Sequence, residues 1–118
     1  MLGKFVMTIV IPGTLAAPVD FMATMPSACT IQHVSMVQSN AGAGRVKFGT
    51  TSDDDAYLAY TTLGISDTPV ELSALTDWID DTRPHLDKDD VLAIYLDHDG
   101  DGGTAADDVT IVITFTEG

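Results

Sequence analysis

The sequence predicts an all-β protein: a single antiparallel β-sandwich, jelly-roll-like, of about seven or eight strands. The clearest sign is the segment Val109–Thr116, where Val109, Ile111, Ile113 and Phe115 alternate with other residues and share one face. Short apolar segments also follow one another along the chain with turn residues between them. Helix signals are few, so a fold built from strands is expected.

Candidate strands are segments rich in β-branched and aromatic residues, bounded by glycine, proline, serine or aspartate. In chain order they are Lys4–Ile11, Val19–Met25, Thr30–Gln38, Gly44–Thr50, Ala56–Thr62, the weaker Thr68–Leu72, Val91–Leu96 and Val109–Thr116. The last two are predicted to form a β-hairpin whose long tip is the acidic, glycine-rich run from Asp97 to Asp108. Because Val91–Leu96 is apolar at every position, we expect it to be covered on both faces.

The connection before this hairpin is the one place where a helix is expected. Ser73 is a candidate N-cap, Leu75, Trp78 and Ile79 are apolar, and Pro84 ends the segment. At most one short helix near residues 73–80, or an irregular crossover, is therefore predicted. No internal repeat or linker-like stretch interrupts the chain, so residues 1–118 are predicted to form one domain.

Charge and cysteine content exclude several classes of function. The chain has 5 Lys and Arg against 18 Asp and Glu, a net charge of −13, which disfavours nucleic acid and anionic membranes as partners. Its 1 cysteine, Cys29, excludes an intrachain disulfide framework. The apolar stretch Phe5–Ile11 is short and closed by Pro12-Gly13, so a strand is favoured over a signal peptide.

The acidic run contains the strongest metal-binding pattern. Asp97, Asp99 and Asp101, followed by Gly102, match the first half of a calcium-binding loop, with Asp108 at the twelfth position. Strand signals flank the run on both sides, whereas an EF-hand loop lies between helices. A solvated turn is the favoured interpretation, and a weak calcium site at Asp97, Asp99, Asp101 and Asp108 is the alternative. No other cofactor is expected.

Catalytic groups are sparse, and an enzyme is not predicted. Cys29 and His33 could share one face of a strand, but their Cα atoms would lie about 13 Å apart, too far for proton transfer. His85 and His98 have no second histidine at a ligand spacing. The aspartate runs fall in predicted turns, where such charges are normally solvated.

More apolar residues are present in two strands than a small sandwich needs for its core. The predicted interface comprises Phe5, Met7, Ile9 and Ile11 of the first strand and Leu92, Ile94 and Leu96 of the seventh. We therefore expect a homo-oligomer or a subunit docked on a larger assembly.

The arrangement of the whole chain resembles the small β-sandwich decoration, or cement, proteins of tailed-bacteriophage capsids. The resemblance lies in the passage from the first strand through Pro12–Pro18 into the second, the turn Ala41–Gly44 before Val46–Gly49, and the Trp-bearing connection to the last two strands. It implies a sandwich fold and a non-catalytic role, but it carries no catalytic residues over to this chain.

This resemblance implies a viral structural protein that binds the outer capsid surface and stabilises joints between major capsid subunits. The major capsid protein would be its partner, a trimer its usual oligomer, and the virion its location, after synthesis in the host cytoplasm without a signal peptide. The competing hypothesis is a calcium-dependent ligand-binding or adhesion module, including a tail or baseplate domain. A thermal midpoint that rises with calcium would favour the latter.

Overall fold

The computed structural model describes residues 3–118 and confirms the predicted all-β sandwich. Its nine strands are β1 (Lys4–Thr14), β2 (Val19–Thr24), β3 (Cys29–Val37), β4 (Arg45–Gly49), β5 (Leu58–Thr62), β6 (Val70–Leu72), β7 (His85–Leu86), β8 (Val91–Asp97) and β9 (Asp107–Glu117). The ninth is β7, a two-residue strand in a segment where the sequence predicts none. Within the described range, no helix is long and apolar enough to cross a membrane.

The strands form two antiparallel sheets. Sheet A has the order β1-β9-β3-β6, with β7 also paired to β3, and sheet B has the order β2-β8-β4-β5. Most consecutive strands lie in different sheets, so the chain passes repeatedly across the sandwich. This order is that of a jelly roll, in which the apolar inner faces of two sheets pack on each other.

The predicted hairpin between the last two long strands is wrong. β8 lies between β2 and β4 in sheet B, whereas β9 lies between β1 and β3 in sheet A. Each is a central strand whose two hydrogen-bonding edges are already occupied within its own sheet. The acidic segment 98–106 therefore crosses from one sheet to the other.

The connection before β7 contains no α-helix, in agreement with the prediction of at most one short helix or an irregular crossover. Two 3₁₀ turns, Leu75–Asp77 and Ile79–Asp81, are separated by Trp78 in an extended conformation with φ −105° and ψ 155°. The carboxylate of Asp77 accepts hydrogen bonds from the backbone N–H groups of Ser73 and Ala74, each 3.0 Å long. Extended Trp78 prevents a continuous helix, and its ring is only 3% exposed, 6.4 Å from that of Phe48.

The core lies between the sheets and is closed by aromatic contacts near the edges. Phe5 of the edge strand β1 stacks on Phe115 of β9 with ring centroids 4.6 Å apart. Among the residues that the structure describes, Gln38 is the buried polar side chain, and its amide donates to the carbonyl oxygens of Gly42 and Leu63 at 2.9 and 3.3 Å. These bonds tie the connections that follow β3 and β5 to the end of sheet A.

Candidate functional site

The predicted interface residues of β8 lie in the core. Leu92 and Ile94 are 0% exposed and Leu96 is 1% exposed, because their side chains point between the sheets. On the opposite side of the strand Ala93 is also fully buried, while Val91 and Tyr95 are half-buried. The strand is apolar because of its central position, and Leu92, Ile94 and Leu96 offer nothing to a partner.

The predicted interface residues of β1 occupy an intermediate position. Phe5, Met7, Ile9 and Ile11 point inward and are half-buried against the core, since β1 is an edge strand. The exposed apolar side chains of β1 are the intervening valines: Val6 is 58% exposed and Val10 63%. The four predicted residues of β1 therefore lie on the side of the strand that points into the sandwich.

The outer face of sheet A brings together residues that are far apart in sequence. Across β1, β9 and β3, in register, they form four rows: Lys4, Thr116 and Thr30; Val6, Thr114 and His33; Thr8, Val112 and Ser35; Val10, Thr110 and Val37. We call these twelve positions the Thr/Val face, because five are threonine, four are valine and none is aspartate or glutamate. Alternation within a single segment could not predict this surface, because its residues come from three separate strands.

Acidic residues lie around this face. Glu71 of β6 is opposite Ser35, and its carboxylate lies 3.6 Å from the His33 ring. Asp108 precedes Thr110 at one end of β9, and Lys4 lies beside Thr116 at the other end. A neutral centre with a partly acidic border is the result.

The outer face of sheet B differs in composition. Its positions include Arg45 beside Asp97, and Lys47 in register with Tyr95 and Asp20. The Tyr60 ring lies 4.1 Å from the Arg45 guanidinium carbon and 4.5 Å from Lys47 Nζ. Lys47 also donates to Asp54 at 2.8 Å. Both cations, Arg45 and Lys47, are thus paired with carboxylates, as expected for a solvated surface.

The structure divides the four carboxylates of the predicted calcium site. Asp97, His98 and Asp99 have ligand atoms within 4.8 Å of one another, but no such group in the described part of the chain includes Asp101 or Asp108. The carboxylate of Asp99 accepts a hydrogen bond from the backbone N–H of Asp101 at 3.1 Å. His98, which the calcium-loop pattern did not include, belongs to this group with Asp97 and Asp99.

Two of these carboxylates have protein partners that favour their ionised form. Burial opposes ionisation of Asp97, but hydrogen bonds from Arg45, at 2.9 Å, and from the Asp99 backbone outweigh it, so the pKa of Asp97 is lowered. A hydrogen bond from the Gly13 N–H, and then one from the Ser39 hydroxyl, lower the pKa of Asp108. Both carboxylates therefore have a structural role without a metal.

The candidate nucleophile and base lie on opposite faces of β3. A register irregularity between Ile31 and His33 reverses the alternation, so Cys29 points into the core while His33 is half-exposed outside. Burial raises the pKa of the Cys29 thiol, and the nearby Asp90 adds to this effect. A buried, protonated thiol separated from its candidate base by the sheet is suited to packing rather than to catalysis.

A shallow pocket of about 290 Å³ is lined by Thr50, Thr51, Tyr57, Asp89, Asp90 and Val91. Burial raises the pKa of the Tyr57 hydroxyl, with smaller contributions from Asp90 and Asp87. The lining contains no histidine, cysteine or lysine that could act as a base or nucleophile near neutral pH. Its titratable side chains are those of Tyr57, Asp89 and Asp90.

Comparison with known proteins shows the class of fold. No protein-family profile and no curated protein matches the sequence. The fold is shared with a chain in a structure described as the cyanophage Pam1 capsid asymmetric unit, at a TM-score of 0.57 and 11% identity, over 99% of this chain and 85% of that one. A chain in a structure of the infectious bursal disease virus Gx strain is 13% identical over 97% of this chain and 32% of its own length. Its TM-score of 0.33 is too low to show a shared fold.

Proposed function

We propose that this chain is a non-catalytic structural protein of a bacteriophage, bound to the outer surface of the capsid, where it stabilises joints between major capsid subunits. The observation that supports this most is the shared jelly roll, which extends over 99% of this chain and 85% of the chain from the cyanophage capsid asymmetric unit. The likeness covers a whole sandwich in both proteins, so it is not a local similarity between fragments. It concerns the fold, and the capsid role is our inference from it.

The physical properties of the chain are compatible with such a role. A protein that binds the assembled shell and not its free subunits stabilises the shell by mass action, without any chemistry of its own. The sandwich provides a rigid body for this purpose, with central strands β8 and β9 paired on both sides. The net charge of −13 keeps unbound copies soluble and apart.

Sedimentation of phage particles from the source of this chain tests the proposal. We expect the chain to migrate with intact particles at many copies per shell, and to be released by mild denaturant. Particles stripped of it should then break open at a lower temperature than intact ones, and adding the chain back should restore the difference. Recovery of the chain only as a free small species would contradict the capsid role.

A trimer, implied by the resemblance to decoration proteins, is part of the proposal and has a separate test. Sedimentation equilibrium of the purified chain measures its mass directly. A mass three times that of the 12.5 kDa chain would support the trimer. A monomer in solution would place assembly, if any, on the shell itself.

The second candidate is a calcium-dependent ligand-binding or adhesion module, such as a tail or baseplate domain. The observation in its favour is the group formed by Asp97, His98 and Asp99, whose ligand atoms lie within 4.8 Å of one another. The pairing of Asp97 with Arg45 reduces what this group offers to a cation. A calcium-dependent rise in thermal midpoint, absent in Asp99→Asn, would favour this candidate over the capsid role.

A further inference from the structure

We propose that the Thr/Val face of sheet A is the surface by which this chain docks on another protein, one whose contact surface is neutral at its centre and basic at its border. This inference rests on the proposed function, in which that protein is the shell subunit. It goes beyond the proposed function because it assigns the contact to one face of one sheet and specifies the charge pattern of the partner.

The exclusion of acidic residues is the first argument. Acidic residues number 18 in 118, yet none occupies the twelve positions of the Thr/Val face. Sheet B shows that the fold accepts charge at equivalent positions, since Asp20, Lys47 and Asp97 all lie on its outer face. Solvent-facing strands normally carry charges that maintain solubility and oppose edge association. Depletion of charge at the centre is instead typical of protein interfaces.

The side chains of the face are suited to binding. Threonine and valine are branched at Cβ and have restricted χ1 angles, so ordering them on binding costs little entropy. Their positions are fixed by β9, which pairs on both sides with β1 and β3. At the β1 side the exposed Val6 and Val10 add apolar area that the rest of the fold leaves uncovered.

The charge at the border indicates which kind of partner fits. A second copy laid face to face would bring together two acidic borders, which include Glu71 and Asp108, and two chains that each carry a net charge of −13. A different protein with lysine or arginine opposite this border would be attracted instead. The face therefore fits a heterologous partner better than self-association.

Rebinding of purified variants to stripped phage particles tests this assignment. Thr8 lies on the outer side of the sheet A edge strand β1, and Thr24 lies exposed at the end of the sheet B edge strand β2. Thr8→Asp and Thr8→Lys place a charge in the face, and Thr24→Asp and Thr24→Lys are the matched controls. Equal thermal midpoints of the two Asp variants, and of the two Lys variants, show that the substitutions at Thr8 and Thr24 affect folding equally.

We expect both Thr8 variants to lose at least about tenfold in apparent affinity, because either charge would be desolvated without a partner. The Thr24 variants should remain within about twofold of the wild type. Binding of the wild type should also weaken as salt increases, since the border contacts are electrostatic. Equal effects of the Thr8 and Thr24 variants, or none, would overturn the assignment.

The same experiment distinguishes failure of this inference from failure of the proposed function. If the wild type itself does not rebind, the capsid role falls and the shell subunit is not the occupant. If the wild type rebinds and the Thr8 variants do too, only the assignment to this face falls. Sedimentation velocity of the free chain tests whether the face binds a second copy of the chain instead. A wild-type dimer that Thr8→Asp converts to a monomer would assign the face to self-association and overturn the inference.

Discussion

The carboxylate of Asp108 accepts a hydrogen bond from the backbone N–H of Gly13, 2.7 Å long. Its other oxygen accepts from the Ser39 hydroxyl at 3.0 Å. Asp108 thus links the start of β9 to the end of β1 and to the connection after β3. The residue that the calcium pattern places at its twelfth position instead fastens three segments of one sheet.

Asparagine substitutions separate this structural role from that of a solvated loop residue. We expect Asp108→Asn to lower the thermal midpoint measurably, because the amide cannot accept from Gly13 and Ser39 at once. Asp101→Asn is the control, since Asp101 and Asp108 both have positive φ, at 73° and 47°, and asparagine tolerates this conformation. Equal midpoints of the two variants in differential scanning calorimetry would show that the bonds to Asp108 contribute nothing.

The ion pair between Arg45 and Asp97 predicts a specific pH dependence. Because the folded-state pKa of Asp97 lies below the ordinary value of 3.8, its contribution to stability is present above that pH and is lost as the pH falls through the folded-state pKa. The midpoint difference between wild type and Asp97→Asn should therefore be largest above about pH 4 and shrink below it. Thermal unfolding followed between pH 2 and pH 7 measures it, and a constant difference would refute the pairing.

Calcium should have little effect on stability. Asp97 is paired with Arg45, and Asp108 is hydrogen-bonded to Gly13 and Ser39, so ligation by either would break existing contacts. We expect the thermal midpoint with millimolar calcium and with chelator to differ by less than about 1 °C, because stabilisation requires binding to the folded state alone. A larger rise with calcium would support the second candidate function.

Charge placed in β8 should unfold the protein rather than weaken a contact surface. Ile94 is 0% exposed, so Ile94→Asp buries a carboxylate without a partner and should cost more than about 4 kcal/mol. Met22→Asp on the neighbouring strand β2 is the control, because Met22 is 55% exposed on the outer face. Chemical denaturation gives both values. An Ile94→Asp variant as stable as the control would mean that β8 is not central to the core.

The positions of the strands could be predicted from the sequence more readily than their pairing. Alternation in Val109–Thr116 identified β9 and its buried face, because a period of two reports which side chains point inward. It carries no information on pairing, so adjacency in the chain suggested a hairpin where a crossover exists. Likewise the irregularity at Ile31 and His33, which separates Cys29 from His33, leaves no mark in the residue types.

The candidate docking surface could not be predicted from the sequence, for a related reason. Thr8, Val112 and Ser35 form one row only once β9 is placed between β1 and β3. Apolar content drew attention to Leu92 and Ile94, whereas the surface that remains free is made of threonine and valine. The feature that marks this surface is the lack of charge at outward positions, not apolar content.

The position of β9 between β1 and β3 also has a consequence for how the protein is made. β9 follows every other strand of the sandwich in the chain, so during synthesis β1 and β3 lack the neighbour that joins them until residues 107–117 leave the ribosome. Pairing of Lys4 with Thr116 closes a loop of more than one hundred residues, and such non-local contacts form slowly. Sheet A is therefore completed only when residues 107–117 are available, and a chain that lacks them would present the facing edges of β1 and β3 to other chains.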